Sequence, residues 1–437
     1  MLLRFGCENF RSISSYQEIL FTATPRKDDS EGLVFSSNAT NEQILPIIAL
    51  YGANGSGKTN LLKALRFFTR FITGCSANDL SGSNIPKFKL NNELVKSEQS
   101  FDVDVIVKGI HYHYGFKILG DEILEEWLYS FSYVNRKSRS VLFHRDEREE
   151  KVYLFGKSLK GQNKNIGKIT NNHTLFLAVA AKSNHELLEI IFDHFDSQYN
   201  FRFNLDINED RIASKIQSFG LEEDISNFIS KVDIGAKCIK TSKVKVDSKQ
   251  LEMRSSVKSA LENIFSSNEF SFESKTEEFD LIIEVFRKDN SGNPVSFSFS
   301  EESLGTRALI SLLVIILRAL KTGGTLIVDE LESSLHTLLS LKLVELFNSK
   351  HTNPNQAQLI FSTHETQLLN FSNVRRDQIW FTERCPDGSS HIAPLTDYKV
   401  PKNSNLRNGY LNGKFGAIPY LGSLNFESLF MSAERNG

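Results

Sequence analysis

Cysteine is scarce. The 437 residues hold four (Cys7, Cys75, Cys238, Cys385), far apart and with no CxxC pair. That excludes a disulfide framework and the common zinc spacings, and it points to a reducing cytoplasm. Methionine is rarer still, three copies against 34 phenylalanines, so the core is expected to rest on aromatics. No charge of one sign dominates: 51 basic residues face 53 acidic ones, a net charge of −2. No global field therefore argues for nucleic acid, and any such contact must come from a local patch. Long apolar runs are missing too. The longest, residues 308–317, is broken by Ser311 and ended by Arg318, whereas a membrane span needs about 20 residues. It reads as a buried helix, and no membrane partner is expected. The opening MLLRFGCENF has no apolar h-region or cleavage site, so no signal peptide is expected.

What is present is ordinary in bulk. Hydrophobic residues at 40% and charged residues at 24% exclude disorder as the general state. The length is about three times one domain, so two or three lobes are expected. The first stretch, MLLRFGCENFRSI, reads as a strand. Residues 44–52, ILPIIALYG, form an apolar run ending on glycine, the pattern of a strand buried on both faces. Next, TNLLKALRFFTRFI places Leu61, Leu62, Leu65, Phe68 and Ile72 at helical spacing. From Phe101, period-two runs with short turns read as antiparallel strands. Helical periodicity takes over across 178–230. Residues 231–258 carry eight basic residues against three acids, with mixed period. The last third alternates helix (306–320), strand (TLIVDE), helix (335–347) and strands AQLIFSTH and QIWFTE.

The chemistry concentrates in a few places. Residues 52–59, Gly-Ala-Asn-Gly-Ser-Gly-Lys-Thr, fit G-x-x-x-x-G-K-[ST] between a predicted strand and a predicted helix, the context that defines a P-loop. Backbone N–H groups of Asn54, Gly55, Ser56 and Gly57 would face phosphates, helped by the helix N-terminus. Lys58 would neutralise phosphate oxygens, and the Thr59 hydroxyl would ligate Mg²⁺. The strand TLIVDE ends in Asp329 and Glu330. In parallel sheets ligands sit at carboxyl ends of strands, so Asp329 is expected to hold Mg²⁺ through water and Glu330 to polarise the attacking water. An acidic cap on the following helix is the plainer alternative. His364 follows the strand LIFST, 34 residues after Glu330, and is a candidate contact to the γ-phosphate; a structural or surface histidine is the usual case.

Spacing narrows the class. The P-loop and the acidic strand lie about 270 residues apart. A long insertion, then a signature helix just before the acidic strand, is the order found in ABC-type ATPases. Glu302-Ser303-Leu304-Gly305-Thr306 stands where that signature belongs; a simple N-cap is the alternative. The order ENFRSI, GANGSGKT, ESLGT, TLIVDE, STHE resembles the SMC/RecF/OLD branch. With the segment EEWLYSF and the tail GYLNGKFGAIP, the chain is similar to the stand-alone RloA-like and AbiL-like anti-phage ATPases. The resemblance covers most of the chain and is specific in its terminal thirds.

It implies an α/β fold: a P-loop ABC-type ATPase head, a mixed sheet flanked by helices, with a β-lobe and a helical insertion between Walker A and signature. The expected division is 1–100 and 279–437 for the two parts of the head, 101–180 for the antiparallel lobe and 181–278 for the insertion. ATP and Mg²⁺ are the implied cofactors. Ser303 and Gly305 are implied to reach the γ-phosphate held by a second copy, giving a homodimer with a larger assembly open. Arg11 is implied to touch adenine or phosphate, with a surface basic residue as the alternative. Leu304 replaces the usual glycine, which argues for slow hydrolysis. His336 takes the usual acidic D-loop position, and Gln99 is a weak candidate for the Q-loop. The 107 residues after Glu330 leave little room for a TOPRIM nuclease, so the expected role is a cytoplasmic, dimeric sensor and scaffold in anti-phage defence that controls a separate effector. A TOPRIM-type nuclease is one such effector. A RecF-like ATP-dependent DNA clamp in repair is the competing reading; a transporter ATPase is disfavoured by ENFRSI and the β-strand insertion. Basic stretches at 151–168 and 231–258 could contact nucleic acid or a phage protein, and a solvated face explains them as well.

Overall fold

The computed structural model describes residues 1–25, 33–74, 85–133, 137–232, 234–247, 251–253, 255–256, 279–401 and 404–418. Cys75, the end of the basic stretch at 231–258 and the end of the 181–278 insertion lie outside them.

Two large sheets organise the chain. One has six strands in the order Tyr199–Arg202, Thr325–Val328, Gln358–Ser362, Ile47–Gly52, Ile379–Arg384, Ser390–Pro394. The first five run parallel, and the last closes the edge antiparallel. The continuous apolar runs are explained by this placement. Along Ile47–Gly52, Ile48 and Leu50 enter one hydrophobic core, and Ile47, Ala49 and Tyr51 enter another. Alternate side chains point to opposite faces, so a strand covered on both faces needs apolar residues at every position.

The first of these cores lies between the two sheets. It holds helix Lys58–Thr73, whose Leu61, Leu62, Leu65, Phe68 and Ile72 are all buried. The phenylalanine-rich composition is used here: Phe68 and Phe71 stack on Phe116 at 5.4 and 4.9 Å, and Phe195 meets Phe68 edge-on at 5.6 Å. Each such ring contributes roughly 1.5–3 kcal/mol by burial, with an increment for ring geometry. The second core carries helices Leu304–Thr322 and Thr337–Phe347 on the other face of the parallel sheet.

The second sheet has seven antiparallel strands, from Tyr153–Phe155 through Ser138–Asp146, Glu122–Ser132, Ile110–Leu119 and Gln99–Val107 to Leu2–Glu8 and Gln17–Leu20. The chain start thus pairs across the division expected at residue 100: Phe5 faces Val103, and Cys7 faces Phe101. The division expected at 181 is crossed as well, because Tyr199–Arg202 joins the parallel sheet beside Thr325–Val328. Four residues between helices carry too little periodicity to announce a strand; the long-range pairing decides it. A three-stranded sheet, Cys238–Lys245, Phe279–Lys288 and Pro294–Ser298, stands apart. Among the described residues no helix is long and apolar enough to cross a membrane.

Candidate nucleotide site

The loop after Ile47–Gly52 is shaped for close approach to a ligand. Gly55 and Gly57 take φ values of 76° and 113°, where a side chain is strained. A Cβ on Gly57 would also lie 2.0 Å from the Ser390 hydroxyl. Helix Lys58–Thr73 starts with no side-chain cap and no acid in its first turn. Its first N–H groups therefore stay open, as an anion site requires. Asn54 and Gly55 sit exposed at the tip. The Ser56 hydroxyl is buried with no partner among the described residues. Lys58 is buried, and its ammonium donates to the carbonyls of Gly52 at 2.7 Å and Ala53 at 3.2 Å. Burial lowers its pKa, opposed by Asp329, Glu330 and Glu332.

The acids arrive from the neighbouring strand ends. Thr59 donates its hydroxyl to Asp329 Oδ1 at 3.2 Å across 270 positions of sequence. Ser362, at the end of its strand, donates to the same oxygen at 2.5 Å and accepts the Glu330 amide at 2.7 Å. One hydroxyl thereby orients both acidic residues. Glu330 is exposed and holds φ at 53°, a left-handed conformation costing on the order of 1–3 kcal/mol in a residue with a side chain. The His364 amide donates to Glu332 Oε1 at 2.6 Å, and its imidazole pKa is lowered by burial and by Lys58, against the carboxylates of Glu332, Glu330 and Asp329. The donor set formed by the Thr59 hydroxyl and the Asp329 carboxylate is hard oxygen, the kind Mg²⁺ takes.

Phosphate oxygens and a divalent cation are what this arrangement can hold. Residues 47–370 match the family model described as AAA domain, putative AbiEii toxin, Type IV TA system. The chain belongs to that AAA-domain family. Membership makes it a P-loop ATPase-family protein of mixed α/β fold, as the motifs implied. No curated protein matches the chain.

Within this AAA-family chain the other expected residues are spread out. Ser303 caps helix Leu304–Thr322, accepting the Thr306 amide at 3.2 Å. It shares a cavity of about 340 Å³ with Gly305, Thr306, Ser334 and His336, and no P-loop residue lines that cavity. The segment before it is pinned by Glu302, which pairs with Arg287 at 2.7 Å. His336 caps the next helix, its Nδ1 accepting the Leu338 amide at 3.2 Å. Arg11 is exposed over the Phe10 ring at 5.8 Å and lines a separate cavity with Lys63, Arg66 and Arg70. Its neighbour Ser12 is the residue of ENFRSI that reaches the P-loop region: Ser390 donates to the Ser56 carbonyl at 2.7 Å, the Ser12 and Ser390 hydroxyls share a hydrogen bond of 2.7 Å, and Asn60 donates to Ser12 at 2.8 Å. Gln99 makes no hydrogen bond to the loop among the described residues. It is buried in the antiparallel sheet, donating to the Asn9 carbonyl at 2.8 Å, because its strand turns that side chain toward the N-terminal segment. Ser362, Glu332 and Ser390 escaped the sequence reading, whereas Ser12 lies in the ENFRSI segment that the resemblance implies to be near the nucleotide. Only the S-T-H run at a strand end hinted at Ser362; the others act through distant pairings.

Proposed function

We propose that the chain binds and slowly hydrolyses ATP with Mg²⁺ as an ABC-type ATPase of the SMC/RecF/OLD branch, like the RloA-like and AbiL-like proteins. Two copies complete each other's sites, and the nucleotide-dependent dimer is a cytoplasmic sensor and scaffold controlling a separate effector in anti-phage defence. The observation that carries this reading is a half-built site. Lys58, Thr59, Asp329 and Glu330 converge at the strand ends, while Ser303 and Gly305 line another cavity of the same chain. A two-fold dimer repeats each contact and would bring that cavity to the partner's γ-phosphate. Leu304 and Leu338, which flank the cavity in sequence, are 48% and 61% exposed, apolar surface that a partner would cover. The description of the matching family, which names an AbiEii toxin and a Type IV TA system, supports the defence role.

In this reading Lys58 turns from the loop carbonyls to the phosphates, and the open N–H groups of the loop bind their oxygens. Bound Mg²⁺ would supply charge neutralisation beside Thr59 and Asp329. Glu330 accepts a proton from water aligned for in-line attack, and His364, neutral in the empty site, steadies the γ-phosphate edge. Ser303→Arg should abolish hydrolysis while leaving single-chain ATP binding intact. Lys58→Ala should weaken ATP binding about 100-fold or more. Mixed together, the two proteins should recover activity at one of two junctions, read by ATPase assay and mass measurement. Normal turnover by Ser303→Arg protein, or full activity in a strict monomer, would overturn the shared-site reading.

A further inference from the structure

A second cleft, separate from the P-loop, gathers positive charge from three elements. Arg66 and Arg70 stand one turn apart on helix Lys58–Thr73. Arg202 ends strand Tyr199–Arg202, and Arg211 and Lys215 stand one turn apart on helix Glu209–Phe219. All five line one cavity of about 550 Å³, in which Asp206 is the only acid among the described residues. Like charges at i,i+4 repel, so each pair is unfavourable without a counter-charge. Among the described residues none of the five has a carboxylate ion-pair partner.

Arg202 makes the point sharpest. It is 8% exposed, and its Nε and Nη1 are buried without a hydrogen-bond partner among the described residues. A buried guanidinium without a hydrogen-bonded counter-ion costs several kcal/mol in general, and Asp206 offsets that burial only through its charge. The cleft also has aromatic walls: Arg66 lies over the Phe203 ring at 5.2 Å, and Phe201 lines the same space. Its size suits a nucleotide-sized ligand.

We infer that this cleft is a second anion site, built to take the phosphates of a phosphoester ligand, with Arg202 as its buried anchor. The forked guanidinium groups match phosphate oxygens, and the aromatic walls suit an attached base. Such a phosphate can come from a free nucleotide-like molecule or from a nucleic-acid strand. The site stands one backbone bond from the nucleotide acids, since the Asp329 amide donates to the Arg202 carbonyl at 2.9 Å.

The test uses full-length Lys58→Ala protein, so that the P-loop does not take up the probes. Pyrophosphate and a fluorescent thymidine oligonucleotide are titrated at low and moderate salt. At least one should bind saturably, and Arg66→Glu with Arg70→Glu should weaken it about tenfold or more. Tighter oligonucleotide binding with a steep salt dependence assigns the site to a strand; pyrophosphate binding that the oligonucleotide does not exceed assigns it to a free phosphoester. Arg202→Met should weaken the same probe while the melting temperature of the anion-free protein stays level or rises, because an unpaired buried charge has been removed. Absence of saturable binding by either probe overturns the proposal. So does binding that none of these substitutions changes, or a lowered melting temperature in Arg202→Met protein whose binding is intact.

Discussion

The two large sheets treat polar side chains in opposite ways. On the antiparallel sheet nearly every charge is consumed by a neighbour. Arg4 pairs with Asp102 and Asp104 at 2.6 Å each, and His111 meets Asp104 at 2.8 Å. Glu126, fully buried, accepts the amides of Phe176 and Leu177 and the Tyr114 hydroxyl, with the buried Arg145 at 3.8 Å. The cluster of Glu125, His144 and Asp146, which has metal-like spacing, is likewise occupied by Lys117 and Arg148. At the carboxyl end of the parallel sheet, Lys58 rests on backbone carbonyls, Ser56 keeps a buried hydroxyl without a described partner, and Glu330 is held in a strained conformation. Closed networks stabilise a fold, whereas groups left open and strained are available to a ligand. The contrast separates scaffold from site without reference to any motif.

The contrast can be broken by substitution, and the largest effect should come from the site. Glu330→Gln keeps volume and hydrogen bonding but removes the base; turnover should fall about 10³-fold, with ATP affinity and melting temperature retained. An unchanged turnover number would move the base elsewhere. Glu126→Ala tests the scaffold side. It takes the acceptor from the Phe176 and Leu177 amides and the Tyr114 hydroxyl, while Arg145 keeps Glu147 at 2.6 Å, so unfolding free energy should drop by about 2–4 kcal/mol, measured by denaturant titration. ATP affinity per folded molecule should be unaffected, and a selective loss of affinity would erase the distinction between the sheets.

Ser362→Ala should have a smaller effect. Removing the hydroxyl frees both Asp329 and the Glu330 amide, at about 1 kcal/mol for a net hydrogen bond. Turnover should drop roughly tenfold and need more Mg²⁺, as read from rate against Mg²⁺ concentration. The smallest effect concerns His364. Because burial and Lys58 depress its pKa, the unfolded chain binds more protons just below the ordinary imidazole range. Stability should therefore fall slightly as pH drops through that window. Followed by NMR, the imidazole should titrate low in the empty protein and shift upward when a triphosphate offsets Lys58. A midpoint indifferent to nucleotide would place His364 outside the site.

The local sequence determined a good deal. A run of apolar residues covered on both faces, a glycine-rich loop and an amphipathic helix are all encoded within about 30 neighbouring positions, and such patterns follow from the periodicity of side chains along helix and strand. The placement of Asp329, Glu330 and His364 just past the ends of apolar strands was legible for the same reason. The tertiary structure alone decided the rest. Ser12 and Ser390 meet across 378 positions, the chain start enters the antiparallel sheet, and a four-residue strand ending in Arg202 takes the edge of the parallel one. Only the packed chain could show that Arg202 is buried with two nitrogens that have no hydrogen-bond partner among the described residues, that Gln99 faces Asn9, and that Ser303 lines a cavity without the P-loop. Periodicity reports which face a residue occupies, but partners are set by closing long loops, and no local pattern records that choice.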